Sequence, residues 1–308
     1  MRFTVLASGS AGNAAFIEAG GFGLLLDAGL GPRQLARRMA AIGLSWERVQ
    51  AVLLTHTHSD HWKERTLAHL GRKRVYLYCH AEHHEILGSY GRAFAKLLNM
   101  DLVRPYEAAR EWELAPGLCC RPLAVAHDGG ATFGFRFEAT GDEAPVALGY
   151  VADLGSWDAR LAEALADVDA LALEFNHDVD MECASGRSPQ LIARVLGNHG
   201  HLSNDQAAAL LLEVLRRSRP GRLRHVVQLH LSRECNCAEL AVQSAAMVLH
   251  HYAPHVTLYT ASQYEPGPAL VISGCDRHVT VLRNNGMTSA WQRKASKVCQ
   301  SWLPGWEV

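Results

Sequence analysis

The sequence His-Thr-His-Ser-Asp-His at residues 56–61 follows the apolar run at residues 51–54 after a single residue, Thr55. The apolar run predicts a buried strand, because four consecutive apolar residues bounded by polar ones fit a strand that is covered on both faces. Residues two apart at a strand end can face the same way. His56 and His58 can therefore share one cation through neutral imidazole nitrogens.

Asp60 and His61 follow where the chain is predicted to turn into a helix, and they can reach a second cation beside the first. Two neighbouring cations can clamp the attacking and leaving oxygens of a displacement reaction. The alternative is a polar loop in a histidine-rich chain, but an ordered set of three imidazoles and one carboxylate is not typical of such loops. The motif thus indicates half of a two-metal site.

Three more candidate ligands each follow an apolar run. His127 comes after residues 123–126, Asp153 after residues 149–152 and His230 after residues 226–229. Taken singly, each is better explained as a turn residue or a cap. Taken together with the motif they complete a site, in which His127 adds to the first cation, His230 adds to the second and Asp153 bridges both.

Composition fits a large folded enzyme and favours no particular partner. The chain has 308 residues, of which 48% are hydrophobic, so it can bury a sizeable core. Its 30 basic and 31 acidic residues nearly cancel, so bulk charge does not indicate nucleic acid or a membrane. We find neither an apolar stretch near the ~20 residues of a membrane span nor a signal peptide, and we expect a cytoplasmic protein with reduced cysteines.

Short strands alternate with helices along the chain, and we find no internal repeat. Strands are predicted at residues 3–7, 14–18, 22–27, 51–54, 75–79, 118–126, 133–138, 147–151, 170–174 and 226–229. Helices are predicted at residues 32–42, 63–70, 82–87, 190–196, 204–217 and 238–251. This alternation predicts an α/β fold in which two sheets are covered by helices on their outer faces.

The ordered motifs resemble the metallo-β-lactamase superfamily over residues 1 to about 268. Asp27 in Leu-Leu-Leu-Asp-Ala-Gly, residues 56–61, His127, Asp153 and His230 look like its five successive motifs. The segments at residues 6–14, 174–178, 200–204 and 230–232 resemble the YycJ/WalJ-like branch, which consists of metal-dependent nucleases related to RNase Z. The resemblance implies an αββα sandwich of two mixed sheets with a dinuclear metal site at the sheet edge. It leaves residues 269–308 as a C-terminal extension of unknown role.

The candidate ligands favour hydrolysis within this superfamily. A bridging carboxylate such as Asp153 is similar to that of RNase Z-like nucleases, phosphodiesterases and glyoxalase II, whereas true β-lactamases lack it. The flavodiiron branch carries a carboxylate where this chain has His58. Members of the branch that this chain resembles include 5′-to-3′ exonucleases. The favoured function is therefore a phosphodiesterase or exonuclease that acts on single-stranded DNA. The resemblance implies two divalent metal ions as cofactors, which are zinc or manganese, or alternatively iron.

Two other functions stay open. A dinuclear centre would polarise a thioester carbonyl as well as a phosphodiester, so a glyoxalase II-like thioester or other small-molecule ester hydrolase is one alternative. The second alternative is a regulatory protein that the metal stabilises and that does not catalyse a reaction.

His201 resembles the extra histidine of the RNase Z motif and could protonate the leaving oxygen. Asp60 and His201 are therefore the candidate catalytic residues, although a loop histidine beside a helix cap would explain His201 equally well. Asp27 resembles the superfamily aspartate that orients the metal-binding loop. A further group is predicted to support the site or contact substrate, with a polar strand end and an Asx turn as the alternative: Glu174, Asn176, His177, Asp178 and Ser203.

Basic residues near the motifs allow a nucleic-acid groove, although solvated helix faces carry such charges routinely. The sequence predicts a nucleic-acid substrate and no membrane partner, and it leaves the oligomeric state open. The candidates lie on the first helix, after the metal motif and around the later motifs: Arg33, Arg37, Arg38, Lys63, Arg65, residues 72–74, Arg187, Arg194 and Arg233.

Overall fold

The computed structural model describes residues 1–140 and 144–274, and in these ranges it contains two β-sheets packed face to face between layers of helices. The strands are β1 (Arg2–Ala7), β2 (Ala14–Ala19), β3 (Phe22–Leu26), β4 (Ala51–Leu53), β5 (Tyr76–His80), β6 (Val103–Tyr106), β7 (Trp112–Ala115), β8 (Leu118–Ala124), β9 (Phe133–Ala139), β10 (Val146–Val151), β11 (Ala170–Glu174), β12 (His225–Leu229), β13 (Thr257–Thr260) and β14 (Leu270–Val271). The helices are α1 (Pro32–Ala40), α2 (Glu64–Lys73), α3 (His83–Ser89), α4 (Ala93–Asn99), α5 (Ala159–Ala164), α6 (Val179–Cys183), α7 (Pro189–Leu196), α8 (Asn204–Arg217) and α9 (Ala238–Tyr252). A short 3-10 turn lies at Trp46–Arg48.

The two sheets share one arrangement. The first sheet has the order β14-β1-β2-β3-β4-β5-β6, and the second has the order β13-β12-β11-β10-β9-β8-β7. In the first sheet the pairings from β14 to β3 are antiparallel and those from β3 to β6 are parallel. In the second sheet the pairings from β7 to β10 are antiparallel and those from β10 to β13 are parallel. The predicted fold of two mixed sheets flanked by helices is confirmed.

Strand periodicity decides which side chains enter the space between the sheets. Along β9, Phe133, Phe135 and Phe137 alternate with Gly134 and Arg136, so the three rings share one face. The rings pack there against Leu24 and Leu26 of β3 and other apolar residues of both sheets. This shared core fixes how the two sheets stack.

Helices cover the outer faces of both sheets. Leu35 of α1, Leu67 of α2 and Leu97 of α4 pack with Leu25 and Val52 on the outer face of the first sheet. The second sheet is covered in the same way, by Leu161 of α5, Leu211 of α8 and Ala245 of α9. Because the central strands are buried on both faces, polar side chains are placed mainly at strand ends.

The domain division predicted at residue 268 stays a prediction. The short strand β14 pairs with β1 through Leu270 and Val271, so residues directly after the predicted boundary belong to the first sheet. The rest of the predicted extension, residues 275–308, lies outside the described residues. In residues 1–140 and 144–274, every helix is too short or too polar to cross a bilayer.

The core between the sheets yields a stability prediction. Phe135 is fully buried there, so Phe135→Ala should lower the free energy of unfolding by about 3–5 kcal/mol through lost burial and a residual cavity. Chemical denaturation measures this loss. Met247→Ala is the control, because Met247 is 58% exposed on α9 and should change stability by no more than about 0.5 kcal/mol. Equal losses in the two variants would contradict the assignment of this core.

Candidate metal centre

The predicted ligands collect at one edge of the sandwich. Asp27 directly follows β3, Asp153 comes two residues after β10, Glu174 ends β11 and His230 directly follows β12. The motif at residues 56–61 begins three residues after β4. Since the carboxyl ends of parallel strands meet at the same edge of a sheet, both sheets deliver their polar side chains to one place.

A buried carboxylate holds the metal motif against the first sheet. Asp27 Oδ1 accepts a hydrogen bond from the backbone N–H of Thr55 at 2.8 Å, and Asp27 Oδ2 accepts one from the Thr55 hydroxyl at 2.9 Å. His61 Nδ1 donates to Asp27 Oδ2 at 2.7 Å. Asp27 and His61 are fully buried, so these bonds replace the water that both groups lose. That Asp27 orients the motif for metal binding stays a prediction, and these are the contacts through which it would do so.

The backbone at two of these strand ends is unusual. Asp27 has φ +59° and His230 has φ +54°, which is the left-handed region that non-glycine residues rarely adopt. Such a conformation costs on the order of 1–3 kcal/mol and persists where the surroundings impose it. His230 is fixed by its N–H, which donates to Ser8 Oγ at 2.8 Å, and by Asn176 Nδ2, which donates to its carbonyl at 2.8 Å.

The first group consists of His56, His58 and His127, which each offer a ligand atom within 4.8 Å of the others. His127 Nδ1 donates to the Gly200 carbonyl at 2.7 Å, and His56 Nδ1 lies 3.0 Å from Thr55 Oγ1. When Nδ1 carries the proton, Nε2 keeps its lone pair for a cation. His127 Nε2 lies 3.2 Å from His58 Nδ1, so these atoms face each other across a common point.

The second group consists of Asp60, His61 and His230. His230 Nε2 lies 3.3 Å from Asp60 Oδ2, and His61 Nε2 lies 3.6 Å from the same oxygen. His61 again has its Nδ1 held, by Asp27, so that its Nε2 faces the group. The three residues predicted to share the second cation therefore lie together.

Asp153 lies between the two groups. It forms a further candidate cluster with His56 and His61, and its Oδ1 lies 3.3 Å from His230 Nδ1. Asp153 Oδ2 and His56 Nε2 are both buried and make no hydrogen bond within the described residues, although Asp153 Oδ2 lies only 3.0 Å from His61 Nε2. Buried polar atoms without partners are costly unless a further group satisfies them. A divalent cation fits this set of imidazole and carboxylate donors.

The two groups differ in their electrostatics. Burial lowers the pKa of His56 well below its ordinary value and also lowers the pKa values of His58 and His127, so all three favour the neutral form that binds a cation. Burial also acts to lower the pKa of His61, but the carboxylates of Asp153, Asp27 and Asp60 outweigh it and hold this pKa well above its ordinary value. The second group therefore lies in the more acidic surroundings of the two.

His201 sits beside both groups. Its Nδ1 donates to Glu174 Oε1 at 2.7 Å, and its ring centroid lies 4.9 Å from that of His127 and 5.2 Å from that of His230. Burial acts to lower the pKa of His201, but the Glu174 carboxylate outweighs this and raises it. Glu174 is itself fixed, because its Oε2 accepts the backbone N–H groups of Leu154 and Leu202 at 3.0 and 3.2 Å.

The remaining predicted residues divide between the site and helix caps. Asn176 contacts His230, with its Nδ2 3.1 Å from His230 Nδ1. Asp178 caps α6, where its Oδ1 accepts the N–H of Met181 at 2.9 Å, and Ser203 caps α8. His177 is buried beside Ser203 through a single β-bridge, and neither of its ring nitrogens forms a hydrogen bond in the described part of the chain.

Sequence reasoning missed two contributors to the centre. Thr55 connects Asp27 with the metal motif, and Asp128 lies at the rim with its Oδ1 3.5 Å from His58 Nε2 and 3.6 Å from His127 Nε2. Asp128 also pairs with Arg194, whose Nη2 donates to Asp128 Oδ1 at 3.1 Å. In the sequence, the position of Asp128 next to His127 was the signal that could have indicated its place at the centre. The pairing of Asp128 with Arg194 gave no such signal, because the two residues are 66 positions apart.

A family model described as the β-lactamase superfamily domain matches residues 23–223, which is more than half of the chain. The chain belongs to this family. The matched span contains Asp27, residues 56–61, His127, Asp153 and His201. The resemblance that the motifs indicated is confirmed, and so is the enzyme class, a metal-dependent hydrolase.

Two relatives of this chain are named as exodeoxyribonucleases. Exodeoxyribonuclease WalJ of Streptococcus pneumoniae serotype 2 (strain D39 / NCTC 7466) is 30% identical over 250 residues, covering 78% of this chain and 85% of WalJ. Exodeoxyribonuclease YycJ of Bacillus anthracis is 28% identical over 257 residues, covering 81% of this chain and 89% of YycJ. The solved structure of Zn²⁺-bound PqqB from Methylobacterium extorquens has a TM-score of 0.63 and 18% identity, covering 87% of this chain and 99% of PqqB. At that identity, PqqB shows a common fold alone.

The buried network predicts that Asp27 controls metal affinity. Asp27→Asn removes the charge that holds His61 Nδ1–H and should weaken metal binding about 10–100-fold, as is typical when a partner of a metal-ligating histidine is lost. Competition with a metal-binding dye measures this affinity. Asp101→Asn is the matched control, because Asp101 is exposed on the turn after α4 and should leave affinity unchanged. Wild-type affinity in Asp27→Asn would refute the role of this carboxylate.

Proposed function

We propose that this hydrolase uses two divalent cations to cleave phosphodiester bonds, as an exonuclease that degrades single-stranded DNA from its 5′ end. The observation that carries the proposal is that Asp153 clusters with one member of each candidate ligand group, His56 and His61, while His201 lies beside both groups. The names of WalJ and YycJ support DNA as the substrate. The direction of cleavage rests on the resemblance to 5′-to-3′ exonucleases.

Each group would hold one cation. His56, His58 and His127 would ligate the first, the second group of Asp60, His61 and His230 would ligate the other, and Asp153 would contact both. When bound, such cations polarise the phosphodiester and lower the pKa of a coordinated water. The surrounding residues keep the imidazoles oriented, because Asp27, Asn176 and the Gly200 carbonyl each contact a ligand ring at its Nδ1.

His201 would donate a proton to the leaving oxygen. Glu174 accepts its Nδ1–H and raises the pKa of the ring, so in the doubly protonated form Nε2–H is the group that can donate a proton towards a substrate at the two groups. The side chain is 19% exposed, which lets it meet substrate while its ring stays packed between His127 and His230. Glu174 acts through His201 and is a positioning residue.

Arg194 supplies a positive charge at the rim. Its guanidinium is 55% exposed and is held by Asp128, which contacts His58 and His127. Nη1 of Arg194 forms no hydrogen bond within the described ranges, so it is available to a phosphate oxygen next to the first group. A phosphodiester carries a negative charge at the reacting group itself, whereas a thioester does not, so a positive charge next to the first group suits a phosphodiester.

The substrate and the direction can be tested together. Protein loaded with Mn²⁺ or Zn²⁺ should release a labelled mononucleotide at once from 5′-labelled single-stranded DNA, and should shorten 3′-labelled DNA progressively. Gel analysis of both substrates, with matched RNA strands, measures this. Asp60→Asn should lose activity by about 10²-fold or more because a candidate ligand of the second cation is weakened, whereas the exposed Asp101→Asn should not.

Other products would contradict the proposal. Progressive shortening of the 5′-labelled strand would refute the direction, and cleavage of RNA alone would refute DNA as substrate. A loaded protein that leaves every strand intact but hydrolyses S-lactoylglutathione would establish the thioesterase instead.

The Glu174–His201 pair predicts a separate kinetic effect. Glu174→Gln should lower kcat about 10–100-fold with little change in KM, because it misorients the proton donor without removing a substrate contact. Steady-state kinetics on the DNA substrate measure both constants. Adding Glu174→Gln to His201→Asn should cause little further loss, since both changes remove the same function. Additive losses would contradict the coupling, and Glu163→Gln, on an exposed carboxylate, is the control.

A further inference from the structure

A cleft lies outside the metal centre, between the start of α1 and the exposed side of α2. It has a volume of about 480 Å³ and is lined by residues 31–34 together with Arg65, Ala68 and Arg72. Arg33 stands on one wall, and Arg65 and Arg72 stand on the other. No described residue that lines it is acidic or aromatic.

The three arginines of the cleft are available to an anion. Arg33, Arg65 and Arg72 are exposed, and none of them pairs with a carboxylate in residues 1–140 and 144–274. Arg72 contacts only the ring of His69, with its Nη2 3.4 Å from Nδ1. The nearest acidic neighbour in sequence, Glu64, is engaged elsewhere, because its Oε1 accepts the N–H of Ala93 at 2.8 Å.

The helix that opens the cleft adds to the positive charge. Helix α1 has Gly31 as its N-cap and Pro32 in its first turn, and that turn contains no acidic residue. Pro32 has no N–H and the Gly31 N–H donates to Gln34 Oε1 at 3.2 Å, so it is chiefly the helix dipole at this end that favours an anion. The helix end and the arginines therefore act in the same direction.

The cleft begins next to the second ligand group. The Ala28 N–H donates to the His61 carbonyl at 2.8 Å, and Thr66 Oγ1 donates to the Leu30 carbonyl at 2.8 Å. A Cβ placed on Gly29 would lie 1.7 Å from the Asp60 carbonyl oxygen, so this backbone passes directly over the motif. Gly31 follows two residues later, which limits its distance from Gly29 to about 7 Å.

The arginines are spaced along the cleft rather than gathered around one point. Arg65 and Arg72 are seven residues apart on α2, so they share a face and are separated by about 10 Å along the helix axis. A single phosphate needs converging donors, whereas donors spaced along a cleft suit successive phosphates of a strand. Without an aromatic ring to stack on a base, such contacts would be independent of sequence.

We propose that this cleft binds the phosphate backbone of a single-stranded nucleic acid whose end lies in the metal centre. The proposal rests on the proposed nuclease function and extends it by assigning a path to the strand beyond the reacting bond. Arg33, Arg65 and Arg72 each bind a backbone phosphate through the guanidinium group.

Salt dependence of binding tests the proposal. The triple variant Arg33→Gln/Arg65→Gln/Arg72→Gln should bind single-stranded DNA with a weaker dependence on salt. In a plot of log Kd against the logarithm of the salt concentration, its slope should be smaller by about 2, since each lost phosphate contact removes about 0.7. Fluorescence anisotropy measures Kd of metal-loaded protein for a labelled strand with phosphorothioate linkages, which slow hydrolysis. Replacing the same three arginines with lysine should retain the slope.

A charge-matched control separates the cleft from net charge. Arg121→Gln/Arg160→Gln/Arg216→Gln removes three charges from exposed residues outside the cleft lining and should keep the wild-type slope. Equal slopes in both glutamine variants would overturn the cleft as a binding path. Circular dichroism confirms that each variant is folded.

The experiment also separates this proposal from the proposed function. If the wild-type protein cleaves DNA but the cleft variant keeps the wild-type Kd and slope, the cleft proposal is overturned and the nuclease proposal stands. Wild-type protein that binds the strand through these arginines but cleaves no nucleic acid would support the cleft and refute the nuclease.

Discussion

The buried carboxylate of Asp27 is the constraint on which the centre depends. It lies where the first sheet's antiparallel and parallel halves meet, and it has no access to water. A carboxylate in that position must be satisfied by protein donors, and Thr55 and His61 supply them. Satisfying Asp27 therefore fixes the chain after β4, and with it the direction in which His61 Nε2 faces. The strained backbone at Asp27 persists because the same contacts hold it.

The common arrangement of the two sheets explains why the centre lies at their edge. β3 and β10 hold equivalent places as the strands where antiparallel pairing changes to parallel, and an aspartate follows each, Asp27 in the first sheet and Asp153 in the second. One aspartate contacts the ring of His61, a candidate ligand, and the other lies between the two candidate ligand groups. No repeat is visible in the sequence, because apolar side chains of many shapes can fill equivalent core positions. The structural repeat is a property of strand pairing alone.

The interior strands were predictable and the edge strands were not. Every central strand was predicted to within a few residues, because burial produces either a continuous apolar run or, as in β9, an alternation of apolar and other residues. Within residues 1–140 and 144–274, the four strands that the sequence did not indicate are the outermost strand on each side of each sheet, β14 and β6 in the first and β13 and β7 in the second. β6 contains Pro105 and β13 is half exposed, so neither has the pattern of a buried strand. Among the helices, α4, α5 and α6 were missed, and each has seven residues or fewer.

The sequence by itself determined the types and order of the candidate ligands, because the spacing within residues 56–61 and the placement of His127, Asp153 and His230 after strands are local properties. Only the tertiary structure decided what surrounds them. The contact of Glu174 with His201 spans 27 residues, that of Asp128 with Arg194 spans 66, and the arginine cleft joins two helices that are separate in sequence. Such contacts depend on how the sheets stack and how the helices cover them. They follow from packing over the whole chain, which periodicity within a short segment does not encode.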